Sequence, residues 1–204
     1  MARASVMAGA SIGCAKVAPV ITLLVAFQGL ACSPKAGAAF EPFPYPREAV
    51  KAQVRNVRFS DSRPRKQQGH FDTPIISMPG QREQRPVAVQ STTVTEMRRR
   101  VGKIISGGER SISLDVRILD GFAGWEASWI DETVFAKVKL AVEFRDDQTG
   151  TLLITAFGEA SGSKTWIDAA DEEPNELFQA AVLAAFDRAI ADPSVVAALS
   201  SAVQ

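Results

Sequence analysis

Histidine and cysteine, which supply many metal ligands and catalytic nucleophiles, are almost absent from this sequence. Its 204 residues include one histidine, His70, and two cysteines, Cys14 and Cys32. A catalytic dyad or triad built on histidine has one candidate and no partner fixed by spacing. The acidic clusters at 146–147 and 171–173 lack the alternating ligand spacing of a calcium loop. We therefore expect no catalytic residue, no metal and no cofactor, and we interpret His70 as an exposed loop residue.

The sequence also lacks an excess of charge of either sign. Lysine plus arginine and aspartate plus glutamate both total 23, so no net field draws the chain onto nucleic acid. We expect no nucleic-acid partner. The one basic cluster is Arg98-Arg99-Arg100 with Lys103 nearby. It indicates either contact with lipid headgroups or an acidic partner, or simply the solvated face of a helix.

Long apolar runs are absent except for one near the N-terminus, at residues 17–33. Its apolar core is shorter than the roughly 20 residues that a membrane-spanning helix needs. Arg3 and Lys16 precede it and small residues follow it, which is the arrangement of a secretory signal. We predict export from the cytoplasm, with residues 1–31 as the signal peptide and either the first methionine or Met7 as the start.

The end of this apolar run carries a more specific pattern. Gly29-Leu30-Ala31-Cys32 resembles the lipobox of bacterial lipoproteins, in which cleavage occurs before a lipidated cysteine. Gly29 stands where the pattern prefers leucine, so cleavage elsewhere and a soluble periplasmic product form the alternative. The resemblance implies that Cys32 is lipidated and that the chain contacts the membrane through this lipid. Ser33 replaces the aspartate that signals inner-membrane retention, which implies the periplasmic side of the outer membrane. A disulfide between Cys14 and Cys32 is a weaker alternative.

Behind the signal, the chain is long enough for one domain of ordinary size. Residues 32–47 are rich in proline and alanine, which favours an extended course, and we interpret them as a tether. Their aromatic residues Phe40, Phe43 and Tyr45 have a second interpretation, which is that they pack back on the domain. We assign residues 48–204 to that domain.

The strand pattern is clearest in the middle of the chain. Apolar and polar residues alternate over 112–118 and again over 134–144. The turn signal at 120–121 separates these strands, and residues 145–150 form a hairpin loop before a returning strand at 152–159. We expect an antiparallel meander, preceded by a first strand within residues 50–59.

Two amphipathic helices are predicted on either side of the meander. Thr93 and Glu96 have the spacing of a capping box, so the first helix is expected to begin at Thr93 and to end at 106–108. Acidic residues and Pro174 precede the second helix, which ends near Asp192. The predicted fold class is α+β, a mostly antiparallel sheet with the two helices packed on one face.

Two regions of this domain are candidates for contact with a partner. Residues 65–90 form a predicted loop that is longer than compact domains usually contain, which indicates either a contact surface or a flexible excursion. Trp125 and Trp129 lie four positions apart and either pack in the core or mark an exposed interaction site. Together with Arg98, Arg99 and Arg100, they are the candidate interaction residues.

The order of these elements resembles the YajG family of Gram-negative outer-membrane lipoproteins over residues 48–199. The resemblance rests on the lipobox-like leader, Asp61-Ser62-Arg63 after the first strand, the strand from Ile112, the hairpin across Gly150 and the final alanine-rich helix. It implies a non-enzymatic interaction or assembly module at the outer membrane. The auxiliary lipoproteins of ABC-type transport systems are similar at the same level, and imply instead a role in lipid transport with an apolar cleft between helix and sheet.

Overall fold

The computed structural model describes residue 40 and residues 50–65, 68, 82–85, 87–127, 131–166 and 173–201. All of them belong to one compact unit, Ala36–Gln204. The predicted signal peptide and Cys32 lie outside the described residues, as do His70 and Trp129. Phe40 is the one described residue of the predicted tether, and it packs against the core.

The sheet is built on three long strands that follow one another along the chain. They are β3 (Ser111–Ala127), β4 (Glu132–Asp146) and β5 (Leu152–Trp166), and each pairs antiparallel with the next. This confirms the predicted meander. β1 (Gln53–Asp61) pairs with the first half of β3 in parallel, and β2 (Arg82–Arg85) pairs antiparallel with its second half.

Three helices complete the described part of the fold. They are α1 (Ser91–Ile104), α2 (Glu173–Ile190) and α3 (Pro193–Ser201). α2 packs across β4 and β5, and α1 packs beside α2 and over β1. The α+β class is therefore confirmed, with α3 as an additional short helix beside β5.

The core lies between α2 and the sheet, where alternate strand residues point inward. The largest fully buried side chains include Phe144 of β4 and Phe178 and Phe186 of α2. α2 approaches β5 so closely that a Cβ on Gly158 would overlap with the carbonyl oxygen of Ala185. A glycine at this point of β5 is therefore a requirement of helix-to-sheet packing.

The predicted turn at Asp120-Gly121 is wrong. β3 continues through these residues to Ala127, and its pairing with β4 only shifts by one position between Ile118 and Asp120. β4 offers partners along this whole length, and a β-bulge accommodates the extra residue. A Cβ on Gly121 would lie 3.2 Å from the ring of Phe178 and 3.3 Å from the carbonyl oxygen of Lys137, so a larger residue would crowd this point of the sheet.

The predicted capping box is also wrong. α1 begins at Ser91, and no side chain of its own caps the first turn. The Thr93 hydroxyl donates to Gln179 Oε1 of α2 at 2.7 Å. The Glu96 carboxylate instead accepts hydrogen bonds from Arg99 and Arg100, one turn further along α1. Contacts from other parts of the fold have replaced the local pattern.

Candidate functional site

A buried arginine organises the region that follows β1. Arg63 pairs with Asp61 through Nε to Oδ1 at 2.9 Å and Nη2 to Oδ2 at 2.6 Å. Its other hydrogen bonds go to backbone carbonyls, from Nη1 to Gly121 at 3.0 Å and from Nη2 to Val87 at 2.7 Å. Its side chain is 0% exposed. Every hydrogen-bonding nitrogen of the guanidinium therefore has a partner inside the protein.

These bonds connect four parts of the chain. Asp61 ends β1, Gly121 lies at the bulge of β3, and Val87 precedes α1. The ring of Phe178 in α2 lies 4.9 Å from Arg63 Cζ, in a cation–π contact. In the sequence, Arg63 only marks the end of the first strand, because no local pattern distinguishes a buried arginine from an exposed one.

The Arg63 contacts also revise the picture of residues 65–90. This segment contains a strand, β2, and Val87 near its end is buried, so its description as a single loop is wrong. β3 offers an unpaired edge beyond the end of β1, and β2 fills it. Residues 66–67, 69–81 and 86 lie outside the described residues, and their contact role stays a prediction.

A second buried polar residue, Gln179, connects α2 to the start of α1. Its Oε1 accepts from the backbone N–H of Gln90 at 3.0 Å as well as from the Thr93 hydroxyl. Its Nε2 donates to the carbonyl of Ala88 at 2.9 Å and to Asn175 Oδ1 at 3.1 Å. Gln179 thus satisfies polar groups at the helix start that a capping side chain would otherwise serve.

The predicted arginine cluster divides into two kinds of side chain. Arg99 Nη2 lies 2.6 Å and Arg100 Nε 3.0 Å from Oε1 of Glu96, so both form ion pairs with it. Arg100 also pairs with Asp187 of α2. Hydrogen bonds from Arg99 and then Arg100 lower the pKa of Glu96 to about 2. Arg100 is thereby a structural link between the two helices.

Arg98 points in another direction, toward β1. Its Nη2 approaches the carbonyl oxygen of Val57 at 3.4 Å. It lies over a surface depression that we call the α1–β1 groove, which runs between the two elements in two overlapping parts of about 650 and 630 Å³. Both parts are lined by Asn56, Val57 and Arg98. Among the described residues, the groove is lined by the arginines Arg55, Arg58 and Arg98 and by no carboxylate.

Trp125 does not contribute to any surface of this chain. Its side chain is 1% exposed and belongs to the hydrophobic core. The prediction of an interaction role is therefore wrong for Trp125, because β3 continues through this position and directs the indole inward. For Trp129, outside the described residues, it stays a prediction.

The face of the sheet opposite the helices is largely charged. Ion pairs cross from strand to strand, between Arg117 and Glu143, and between Lys137 and Glu159. Phe157 of β5 is 60% exposed on the solvent side. Such cross-strand pairs are usual on a solvated sheet face.

Neither a metal centre nor a spanning helix is found in the part of the chain that the structure describes. No three His, Cys, Asp or Glu side chains within it lie together as metal ligands would. None of its helices is long and apolar enough to cross a membrane.

No family model and no curated protein matches the sequence. Among solved structures, the chain is similar to a Xanthomonas campestris protein of family DUF330, at 13% identity and a TM-score of 0.35, over 80% of this chain and 90% of that one. It is also similar to a putative neuraminyllactose-binding hemagglutinin homolog from Helicobacter pylori, at 7% identity and a TM-score of 0.35, over 80% of this chain and 98% of that one. Likenesses of this degree carry no argument on function, and membership of the YajG family stays a prediction.

Proposed function

We propose that this chain is a non-enzymatic protein of the bacterial envelope, lipid-anchored at Cys32 on the periplasmic side of the outer membrane. Its domain acts as an interaction or assembly module and contacts a partner through the α1–β1 groove. The contact through the groove is supported by its lining, which in the described part of the chain combines a strand edge and three arginines with no carboxylate.

The internal polar network of the domain is structural. Arg63 and Gln179 are buried, and each is held by several hydrogen bonds. Catalytic sites usually combine a cleft with polar groups whose pKa values are perturbed. Glu96, whose pKa is strongly lowered, sits on a helix surface and is fixed by two arginines. The Glu96 carboxylate therefore belongs to a structural ion pair.

The alternative function is that of an auxiliary lipoprotein of an envelope lipid or ABC-type transport system. That function favours an apolar cleft between helix and sheet. Val142 and Phe144 of β4 are 0% exposed, as are Phe178 and Phe186 of α2. The close packing of this interface supports the interaction module over the lipid-transport component.

The position of Phe40 limits the length of the tether. Because Phe40 packs against the core, residues 33–39 alone would connect the domain to a lipid on Cys32. A fully extended chain covers at most about 3.6 Å per residue, so this connection reaches about 25 Å. The domain would therefore work close to the membrane surface.

Metabolic labelling with an alkyne fatty acid tests the anchor. Cells producing the wild-type chain or the Cys32→Ala variant are labelled, and the chain is purified and conjugated to a fluorophore. We expect label on the wild type, none on Cys32→Ala, and the wild type in the outer-membrane fraction. Equal labelling of the two chains, or no label on the wild type, would overturn the proposed anchor.

A further inference from the structure

The outer edge of β1 has no neighbouring strand in the described structure, and side chains reach two carbonyl oxygens of β1. That of Val57 accepts from Arg98 Nη2 at 3.4 Å, and that of Asp61 accepts from Gln68 Nε2 at 3.1 Å. In the strand order β1-β3-β4-β5, β1 is terminal and has β3 on one side. No strand among the described residues pairs with its other side. An edge strand exposes backbone N–H and C=O groups to which another extended chain can bond. The register of β1 shifts between Val54 and Asn56, so regular pairing would use the part of the strand after this bulge.

The arginines along this edge are free of ion pairs with the rest of the described structure. Arg55 donates to the Ser111 hydroxyl at 3.2 Å, and Arg98 makes its long contact with the Val57 carbonyl. Arg58 lies opposite Asp115 in register, but Asp115 pairs with Arg145 at 3.5 Å. Three cations thus border this strand without an ion pair of their own among the described residues, and Arg58 also lines a smaller depression that contains Asp115 and Glu143.

We propose that the α1–β1 groove binds an extended acidic segment of a partner protein, which adds as a strand to the outer edge of β1. This inference rests on the proposed interaction role and names the chemistry of the partner. Backbone hydrogen bonds to β1 supply affinity, as in other cases of strand addition. Carboxylates of the segment pair with Arg55, Arg58 and Arg98, which gives selectivity and a fast, salt-dependent association.

A strand edge bordered by arginines also has a purely protective explanation. Charged side chains and bulges deter indiscriminate pairing between sheet edges. That explanation predicts no affinity for acidic extended peptides beyond what any basic surface shows. The position of Arg98 favours binding over protection of the edge. Arg98 reaches the groove from α1, whereas an arginine that only protects the edge is expected on β1 itself.

The test is a fluorescence anisotropy titration with the full chain in detergent. The probe is a nine-residue peptide, in which glutamate alternates with threonine or valine and which is long enough to span the part of β1 after the bulge. We expect saturable binding that weakens as NaCl is raised. The same peptide with lysine for glutamate should bind at least about tenfold more weakly, which corresponds to about 1.4 kcal/mol.

Backbone pairing is tested on the probe, which leaves the protein unchanged. Two further peptides carry N-methyl groups on alternate backbone nitrogens, one along each edge of the extended chain. Strand addition uses only one edge of the peptide. We therefore expect one methylated peptide to lose binding and the other to keep it. Equal binding of both would overturn strand addition.

The protein variant for this test is Arg55→Glu combined with Arg98→Glu, and its control is Lys139→Glu, an exposed residue of β4. We expect at least about tenfold weaker binding for the double variant and no change for the control. If circular dichroism shows that the double variant is misfolded, Arg55→Gln with Arg98→Gln replaces it. Equal affinities of wild type and variant would overturn the proposal.

Phosphatidylglycerol vesicles separate a lipid surface from a peptide as the ligand of these arginines. Binding to vesicles that depends on Arg55 and Arg98, without binding of the glutamate peptide, would overturn the peptide proposal in favour of a membrane contact. If neither the glutamate peptide nor the vesicles bind, but the groove still crosslinks to a protein in cells, the acidic segment is contradicted. The proposed interaction role is then retained.

Discussion

The guanidinium of Arg63 lies over the ring of Phe178, with Cζ 4.9 Å from the ring centroid. One residue follows β1 and the other lies in α2, more than a hundred positions later in the chain. Through this contact and its hydrogen bonds, Arg63 fixes the end of β1 relative to the rest of the domain. The α1–β1 groove owes its shape to that placement, since β1 forms one of its walls.

Replacement of Arg63 should strongly destabilise the fold. Arg63→Met leaves the Asp61 carboxylate and the carbonyls of Val87 and Gly121 without their donor. Loss of one partner from a buried ion pair costs about 3–5 kcal/mol. Urea unfolding measures this loss. Arg63→Lys should rescue little because an ammonium group cannot form the bidentate pair, and Arg58→Ala, at an exposed arginine, should change stability by less than about 0.5 kcal/mol. A small effect of Arg63→Met would contradict the structural role.

Replacement of Gln179 should loosen the start of α1. Gln179→Leu removes the acceptor for the Gln90 N–H and the Thr93 hydroxyl. We expect a loss of about 1–3 kcal/mol, the cost of buried polar groups left unpaired. Relative to the wild type, hydrogen exchange in the variant should accelerate more at the first turn of α1 than at its last turn. Uniform exchange rates along α1 in the variant would refute this assignment.

Stability should fall in acid partly through Glu96. Its pKa is about 2 in the folded chain, because Arg99 and then Arg100 bond its carboxylate, against 4.5 for an ordinary glutamate. A pKa that is lowered by folding adds stability above the unfolded value and loses it as the pH falls toward the folded value. We expect the free energy of unfolding to decline between about pH 4.5 and 2. Glu96→Gln should flatten this decline, and an unchanged slope in the variant would count against the ion pairs.

Replacement by alanine should change the stability of the fold in opposite directions at two glycines. Gly158→Ala places a methyl group against the carbonyl oxygen of Ala185, so α2 has to move away from β5. Overpacking of this kind costs about 1–3 kcal/mol or more. Gly102→Ala, in α1, meets nothing within 4 Å and should stabilise the fold by up to about 1 kcal/mol. Thermal unfolding of both variants checks the pair, and destabilisation by Gly102→Ala would be inconsistent with the open space described there.

Periodic patterns in the sequence predicted most of the regular structure. Alternation along 112–118 and 134–144 identified the strands of the meander, since each strand has one face on the core. Local signals failed where distant contacts overrode them. Asp120-Gly121 has the composition of a turn, but pairing with β4 keeps this segment in β3. Thr93 and Glu96 have the spacing of a capping box, but Thr93 instead bonds to Gln179 of α2.

The sequence predicted the candidate site less completely than it predicted the fold. The pattern of Arg98, Arg99 and Arg100 identified a basic cluster, but it could not separate Arg98 from its two ion-paired neighbours. The groove also depends on the parallel pairing of β1 with β3, which places β1 at the sheet edge. Neither Arg55 nor Arg58 stands out in a sequence where positive and negative charges are equal.

Photocrosslinking in cells shows whether the domain contacts a protein partner through the α1–β1 groove. A photoreactive benzoylphenylalanine replaces Thr95, an exposed residue that lines the groove, and in a matched strain replaces Lys139 on β4. We predict a discrete crosslinked protein from position 95, none from position 139, and loss of the crosslink when Arg55→Glu and Arg98→Glu are added. No crosslink from position 95, or the same crosslinked protein from position 139, would contradict this contact. A crosslink from position 95 that persists after both arginines are reversed would overturn the acidic segment alone.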